Sequence, residues 1–469
     1  MKLSEIFPNE GFKDHQICTM TPHWYQLEDV KKHVEWGGST CFSEVGLGKS
    51  LIAYLWITLQ VQRGGKVVVV MSPGLIFQFT KNFGCITGMD MSFGTIAKDK
   101  KQRGKDFDIW EDTEYPDVMF MSYQMFIKYH KHLGNFTALV ADEAHQMSNA
   151  STLAFRAVAF EVFSKSLDFL LMTATPTPTE LRNAYAYIKL KSPGSYQSLE
   201  QFDRIHVEWS HPSAGPLQVV GYKQEDLIAE RLNYRSVRRR AKDVLNLADP
   251  NVFNFEMSLS PEHTDLYLKL LNEWFLEFGE QLLIAKNQQA LRQLCLQLIT
   301  CPEHYTKDRI EDVPLDNLKE IQRSLEGNKL AVFCNYRVTV EKLSKVFKDL
   351  NPALVYGGSN VPENVEKFLN EPTCKIAILN VASGGAGFNL QSVCSDLVFY
   401  EPTGSPGAYT QAIGRVHRQG QTRPVRVWMF QYCGTKSSKL MQKGLERFEG
   451  VKNLLFDNNC LMDFMIDMV

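Results

Sequence analysis

The sequence predicts an α/β protein in which two parallel-sheet lobes flank a helical segment. Three observations carry this expectation. Short β-branched apolar runs alternate with amphipathic stretches, the rhythm of strands and helices in a sheet covered on both faces. The rhythm stops near Pro193 and resumes near Val313. Between those points apolar residues recur at spacings of three and four, as in helices. The expected domains are therefore 1–195, 196–312 and 313–469.

The elements follow in order. The stretch CFSEVGLGKSLIAYLW reads as a strand entering a glycine-rich loop and leaving as an apolar helix over 51–59. Further strands are expected at 66–71 (KVVVVM), 118–122 (VMFMS), 138–141 (ALVA) and 169–172 (FLLM). The middle segment carries the helical patterns DLIAERLNYRSVRRRAKDVL and ALRQLCLQLI. In the second lobe, strands are expected at 330–334, 353–356, 376–379, 397–400 and 425–430. The final LLFDNNCLMDFMIDMV reads as a closing helix packed on the second lobe.

Composition bounds the function. A chain of 469 residues, 44% hydrophobic and 22% charged, has the balance of a globular protein able to bury large cores. Its formal net charge of −2 gives no overall basic signature, so any nucleic-acid contact must come from local patches and backbone amides. There is no signal-peptide core and no uncharged apolar run of the ~20 residues a membrane helix needs. The ten cysteines form no Cys-x-x-Cys pair, and Cys295 and Cys301 lack companions for zinc, so reduced structural thiols are expected. These features predict an intracellular, cytoplasmic, monomeric protein with no membrane partner.

Three motifs carry chemistry. In EVGLGKS, backbone N–H groups and a helix N-terminus can hold phosphates, with Lys49 on the terminal phosphates and Ser50 on Mg²⁺. Only Gly46 and Gly48 supply flexibility, because Ser43 stands where the strict pattern has glycine. A plain structural turn is the alternative for this motif taken alone. In ALVADEAHQMSN an apolar run delivers Asp142 and Glu143 to a strand end, where ligands sit in an open parallel sheet. Mg²⁺-assisted phosphoryl transfer needs such a pair, Asp142 for the metal and Glu143 for the attacking water. In QAIGRVHRQGQ, Arg415 and Arg418 lie on one face of a helix or helical turn. They fit either an exposed basic patch or an arginine finger that stabilises a γ-phosphate held by the first lobe.

The phosphate loop, DEAH, LMTATPTPTEL, NVASGGAGFNLQ and QAIGRVHRQGQ follow one another as in superfamily 2 helicase-like ATPases. Within that group the chain resembles the Swi/Snf-type ATPases over about 25–430, on EVGLGKS, MSPGLIFQF, DEAHQMSNASTLAFRAV, RRRAKDVL, GGAGFNL and HRQGQTRPVRV. The resemblance implies two RecA-like lobes, with ATP between them and DNA, expected to be duplex, across both. It implies that Gln26 reads adenine, that His145 links the acidic motif to the second lobe, and that Gly387 and Gln411 belong to the nucleotide site. Ser72, Pro73, Ser122, Tyr123, Ser383, Gly384 and Asn389 fall on motifs that contact nucleic acid or couple that contact to ATP, as do Thr173 and Thr175.

The chain also departs from the pattern. Ala174 stands where Swi/Snf members carry glycine, and the asparagine expected after TPTP is missing, so this end of the first lobe resembles a general superfamily 2 helicase. The helical segment is short, which fits a minimal motor such as a virus encodes, working in the host cytoplasm. The basic run at 98–105 reads as a solvated loop, whereas RSVRRRAK at 235–242 fits ion pairing, DNA contact or a nuclear signal. The expected function is an ATP-dependent translocase on duplex DNA. The alternatives are a strand-separating DNA or RNA helicase and a nucleotide-switched scaffold without turnover. A β-hairpin wedge finds no room between 392 and 410, although the segment between Pro193 and Val313 can hold one.

Overall fold

The computed structural model describes residues 2–12, 17–88, 91–95, 116–178, 180–210, 217–245, 247–278, 281–306, 310–381, 389–403 and 406–435. The basic run at 98–105, the C-terminal run, and Ser383, Gly384 and Gly387 lie outside the described residues. The chain divides into two compact units, one within Met1–Val244 and one beginning at Leu245.

The first unit is built on a seven-stranded sheet. Its strands are β1 (Gly38–Cys41), β2 (Val67–Val70), β3 (Phe93–Thr95), β4 (Val118–Met121), β5 (Ala138–Asp142), β6 (Asp168–Met172) and β7 (Ser236–Val237). They lie in the order β7-β1-β6-β5-β2-β4-β3, every pair parallel. Strand β2 explains why the sheet was legible: its four valines are fully buried and feed opposite faces in alternation. Val68 and Val70 enter one core, while Val67 and Val69 enter the other.

Helices α1 (Trp24–Trp36), α2 (Lys49–Gln62) and α3 (Pro73–Asn82) cover the Val67 face. The other face takes α4 (Tyr123–Tyr129), α5 (Leu153–Lys165), α6 (Ala184–Lys191), α7 (Leu199–His206) and α8 (Glu225–Asn233). Every residue of α2 from Leu51 to Gln60 is buried, which is why the helix is apolar all round instead of striped.

The second unit has a six-stranded parallel sheet of β8 (Asn251–Met257), β9 (Lys329–Cys334), β10 (Ala353–Val355), β11 (Ile376–Asn380), β12 (Cys394–Phe399) and β13 (Arg426–Tyr432). The order is β8-β13-β12-β9-β11-β10. Around it stand α9 (Pro261–Glu273), α10 (Gln288–Thr300), α11 (Val313–Ser324), α12 (Arg337–Val346), α13 (Val361–Asn370) and α14 (Pro406–Ile413).

Residues 196–312, expected as one intervening segment, divide between the two units. Helices α7 and α8 and strand β7 join the first; β8, α9 and α10 join the second. The segment also holds two antiparallel hairpins, Val207–Ser210 with Gln218–Tyr222 and Phe275–Phe278 with Gln281–Ile284. Among the described residues no helix is long and apolar enough to cross a membrane. Eight of the nine described cysteines are buried, and no His, Cys, Asp and Glu cluster suited to a metal occurs among the described residues.

Candidate active site

The phosphate loop follows β1 and ends at Gly48, the N-cap of α2. Gly46 and Gly48 adopt φ of 87° and 73°, in the left-handed region that favours glycine. A Cβ on Gly48 would stand 2.2 Å from Gln26 Nε2, so the position tolerates no side chain. Gln26 is buried at 3% exposure. Its Nε2 donates to Leu47 O at 3.0 Å and its Oε1 accepts from His23 N at 2.9 Å. Tyr25 Oη donates to the same Leu47 carbonyl at 3.1 Å. The residue expected to read adenine is thus also an anchor of the loop.

Lys49 Nζ donates to the loop carbonyls of Ser43 and Glu44, at 2.7 and 2.9 Å. Burial pulls the pKa of this ammonium down, while Cys41, Glu143, Asp142 and Glu44 pull it up. Both members of the acidic pair therefore lie within electrostatic reach of Lys49. Strand order explains the convergence, because β1, β6 and β5 are neighbours and their C-terminal ends deliver the loop, Thr173 and Asp142–Glu143 side by side. Ser50 is exposed in the first turn of α2.

Glu143 has φ 49° and ψ 48°, a left-handed conformation that a non-glycine residue adopts at a cost and that clusters at functional sites. His145 Nδ1 lies 3.2 Å from Glu143 Oε2 and 3.3 Å from Thr173 Oγ1. Thr173 is itself fixed, its N–H donating to Cys41 O at 3.0 Å and its hydroxyl accepting from Thr175 N at 3.1 Å. His145 thus joins the acidic motif to the end of β6 within the first unit.

Ser72 and Ser122 cap α3 and α4 at the ends of adjacent strands β2 and β4. Ser72 and Pro73 reach the surface, and Ser72 Oγ accepts from Gln146 Nε2 at 3.2 Å. Ser122 Oγ is engaged as a cap by Met125 N at 3.2 Å. Tyr123 is buried, and its hydroxyl donates to Asp142 O at 2.9 Å, so its side chain supports the acidic strand end rather than facing solvent.

In the second unit α14 ends at Ile413, so Arg415 and Arg418 stand on the turns that follow it. Arg415 N bonds Ala412 O, and Arg415 O accepts from Leu390 N at 2.9 Å. Arg418 Nη1 donates to Asn389 Oδ1. Burial, together with the charge of Arg415, lowers the Arg418 pKa to about 10. Two guanidiniums that oppose each other's charge are suited to an anion. Gln411 is half-buried on α14, one turn ahead.

The basic run RSVRRRAK forms ion pairs beside the phosphate loop. Both Nε and Nη2 of Arg239 donate to Oδ1 of fully buried Asp29, at 3.0 and 2.7 Å, and Nη2 also reaches Glu28 at 3.0 Å. Its backbone flanks the phosphate loop, with Arg239 N donating to Ser43 Oγ at 3.1 Å and Glu44 N to Arg239 O at 3.0 Å. Arg240 pairs with Asp243 at 2.6 Å. This run serves ion pairing and loop support. Asp29 and Gln146 were not singled out from sequence; the acidic pair Glu28–Asp29 just past Gln26 and an arginine run 210 residues further on were the signals available.

Two family models match the chain, the SNF2-related domain over residues 29–309 and the helicase conserved C-terminal domain over 314–420. The mouse DNA repair and recombination protein RAD54B is 25% identical over 90% of this chain and 54% of its own length. The Arabidopsis thaliana CHD3-type chromatin-remodeling factor CHR7 is 22% identical over 91% of this chain and 37% of its own. The chain thus spans about half or less of these relatives. A solved Sulfolobus solfataricus SWI2/SNF2 ATPase core in complex with dsDNA aligns with TM-score 0.42 at 18% identity, over 93% of this chain and 92% of that one. With a family model covering 29–309 and the phosphate-loop and acidic motifs assembled at one sheet edge, the chain belongs to the SNF2-related family of helicase-like ATPases.

Proposed function

We propose that this protein hydrolyses ATP and couples the reaction to movement along duplex DNA. The observation that carries the reading is the convergence of Lys49, on the loop that follows β1, with Asp142 and strained Glu143 at the end of β5, one strand removed. Gly46, Gly48 and Lys49 hold the phosphates, with Gln26 beside the base. Ser50 and Asp142 fit Mg²⁺, one an exposed hydroxyl in the first helical turn and the other a carboxylate at a strand end. When bound, the ion neutralises charge on the β- and γ-phosphates. Glu143 orients and deprotonates the attacking water, and His145 steadies it. Arg415 and Arg418 offset the charge that develops on the γ-phosphate, with Gln411 and Gly387 serving the same nucleotide.

Ser72, Pro73, Ser122, Ser383, Gly384 and Asn389 serve the DNA, Ser72 and Ser122 through the helix starts they cap. The names of the relatives, which speak of DNA repair, recombination and chromatin remodelling, support DNA as the polymer. Tracking without strand separation is favoured where a wedge finds no room, since 392–410 holds β12 and the start of α14. The strand-separating alternative keeps one observation in its favour, the two hairpins between 196 and 312.

The test measures ATP turnover with no polymer, single-stranded DNA, duplex DNA and RNA. It then pairs a forked duplex with a triplex whose third strand a motor on intact duplex would displace. Duplex stimulation with triplex displacement is expected; efficient fork unwinding, or stimulation by RNA alone, would overturn the reading.

A further inference from the structure

A lysine is buried behind the phosphate loop without a carboxylate to match it. Lys191 ends α6 at 5% exposure. Its ammonium donates to three oxygens, Thr40 Oγ1 of β1 at 3.2 Å, Leu232 O of α8 at 2.5 Å and Ser236 Oγ of β7 at 2.6 Å. Thr40 and Ser236 face each other across the two strands, their hydroxyls 2.6 Å apart. The same Nζ lies 5.5 Å from the ring centroid of Phe42, the residue that leads from β1 into the loop.

Taking an ammonium out of water without a counter-ion is unfavourable, and burial pulls the pKa of Lys191 well below the ordinary lysine value. A methionine would fill the same length without that penalty, so the bonds themselves are what the position supplies. They hold β7, a strand of two residues at the edge of the sheet. From β7 the chain runs along the phosphate loop. Arg238 Nη1 donates to Phe42 O at 3.2 Å, Arg239 N to Ser43 Oγ at 3.1 Å, Glu44 N to Arg239 O at 3.0 Å and Ala241 N to Glu44 Oε2 at 2.7 Å. Ser43 and Glu44 are the residues whose carbonyls accept from Lys49 Nζ. Hydrogen bonds and the backbone of 236–239 thus connect the buried lysine to the one assigned to the phosphates.

We propose that Lys191 is a positioning residue for nucleotide binding: it pins β7 to β1 and to the end of α8, and through β7 it sets the flank of the phosphate loop and the seat of Lys49. The side chain touches no substrate. Without it the short strand shifts against β1, and the carbonyls of Ser43 and Glu44 shift with it. The effect falls on ATP affinity, because the loop and Lys49 hold the phosphates. Glu143, which follows β5, keeps its place for the chemical step.

This inference rests on the ATPase reading above, and the test separates the two. ATP affinity, steady-state turnover with duplex DNA and the thermal midpoint are measured for the full chain, Lys191→Met, Ser43→Ala and the double variant. Lys191→Met is expected to raise the Kd and KM for ATP by about tenfold, with kcat at saturating ATP within about twofold. In the double variant the increase is smaller than the product of the two, since Ser43→Ala removes the acceptor through which Arg239 N holds the loop. A lower midpoint with unchanged Kd and KM makes the lysine a support of the core and overturns the proposal, as does independent action of the two substitutions. If Lys191→Met does not fold, Ser236→Ala decides, because it removes one of the three acceptors and keeps the lysine; a smaller rise in KM is expected, and an unchanged KM overturns the proposal. An unsubstituted chain that binds ATP without turnover overturns the hydrolysis reading alone and leaves the affinities to decide this one; a chain that binds no ATP overturns both.

Discussion

Gln26 and Leu47 are joined by a side-chain amide that donates to a backbone carbonyl at 3.0 Å, across 21 residues of chain. A loop that presents N–H groups to phosphates must have its carbonyls held back, and this bond, shared with Tyr25, does so. Replacing Gln26 with Ala is therefore expected to weaken binding of ATP and of inorganic tripolyphosphate alike, by roughly threefold to tenfold. Competition titrations check it; a loss confined to adenine nucleotides would leave Gln26 as a base reader alone.

Gly48→Ala should be more damaging than a usual surface change. It places a Cβ 2.2 Å from Gln26 Nε2 on a backbone at φ 73°. The left-handed conformation alone costs about 1–2 kcal/mol for an alanine. Nucleotide affinity should collapse while the thermal midpoint falls only modestly, as read by titration and melting.

Lys49→Ala and Glu143→Gln should both abolish turnover, and they should fail differently. The first removes the phosphate contact and lowers ATP affinity. The second keeps the shape and loses the base, so ATP binds and persists. Single-turnover assays separate them, and near-normal turnover of Glu143→Gln would refute the assigned role.

Arg415→Ala and Arg418→Ala are each expected to lower turnover by a factor on the order of 10³, with a much smaller change in ATP affinity. Loss of DNA affinity with turnover retained would make the pair a backbone-binding patch.

Arg239→Ala leaves Asp29 buried without its arginine partner, at a cost of roughly 3 kcal/mol at neutral pH. Burial already raises the Asp29 pKa above its unfolded value despite Arg239, and removing the arginine raises it further. The folded state then binds a proton that the unfolded chain has released, so stability rises as pH falls through the window between the two values. Above the folded value the penalty is complete. Denaturant midpoints across acidic and neutral pH should show the deficit of the variant shrinking toward acid.

Much of this was legible because burial on both faces writes itself into composition. The valines of β2 and the run LAVFC in β9 announce strands whatever surrounds them. Strand β12 was expected from 397 but begins at Cys394, because Ser395 and Asp396 disguise a buried strand. They are tolerated there since Arg426 Nε pairs with Asp396 at 2.6 Å and Ser395 Oγ donates to it at 2.7 Å. Strand β8 has no local signal of its sheet, as its partner β13 lies far along the chain. The site motifs were visible as residue types at fixed spacing.

Strand β7 bears on synthesis. The phosphate loop borrows its flank from residues that emerge late, Arg239 N and Ser43 Oγ being 196 residues apart. At the 5–20 residues per second of translation, β1 waits roughly ten to forty seconds for that neighbour. During this interval its outer edge offers unpaired amides to any other strand nearby. The growing polypeptide is thus most exposed to mispairing beside its own phosphate loop, and a fragment released before Ser236 would carry that open edge permanently.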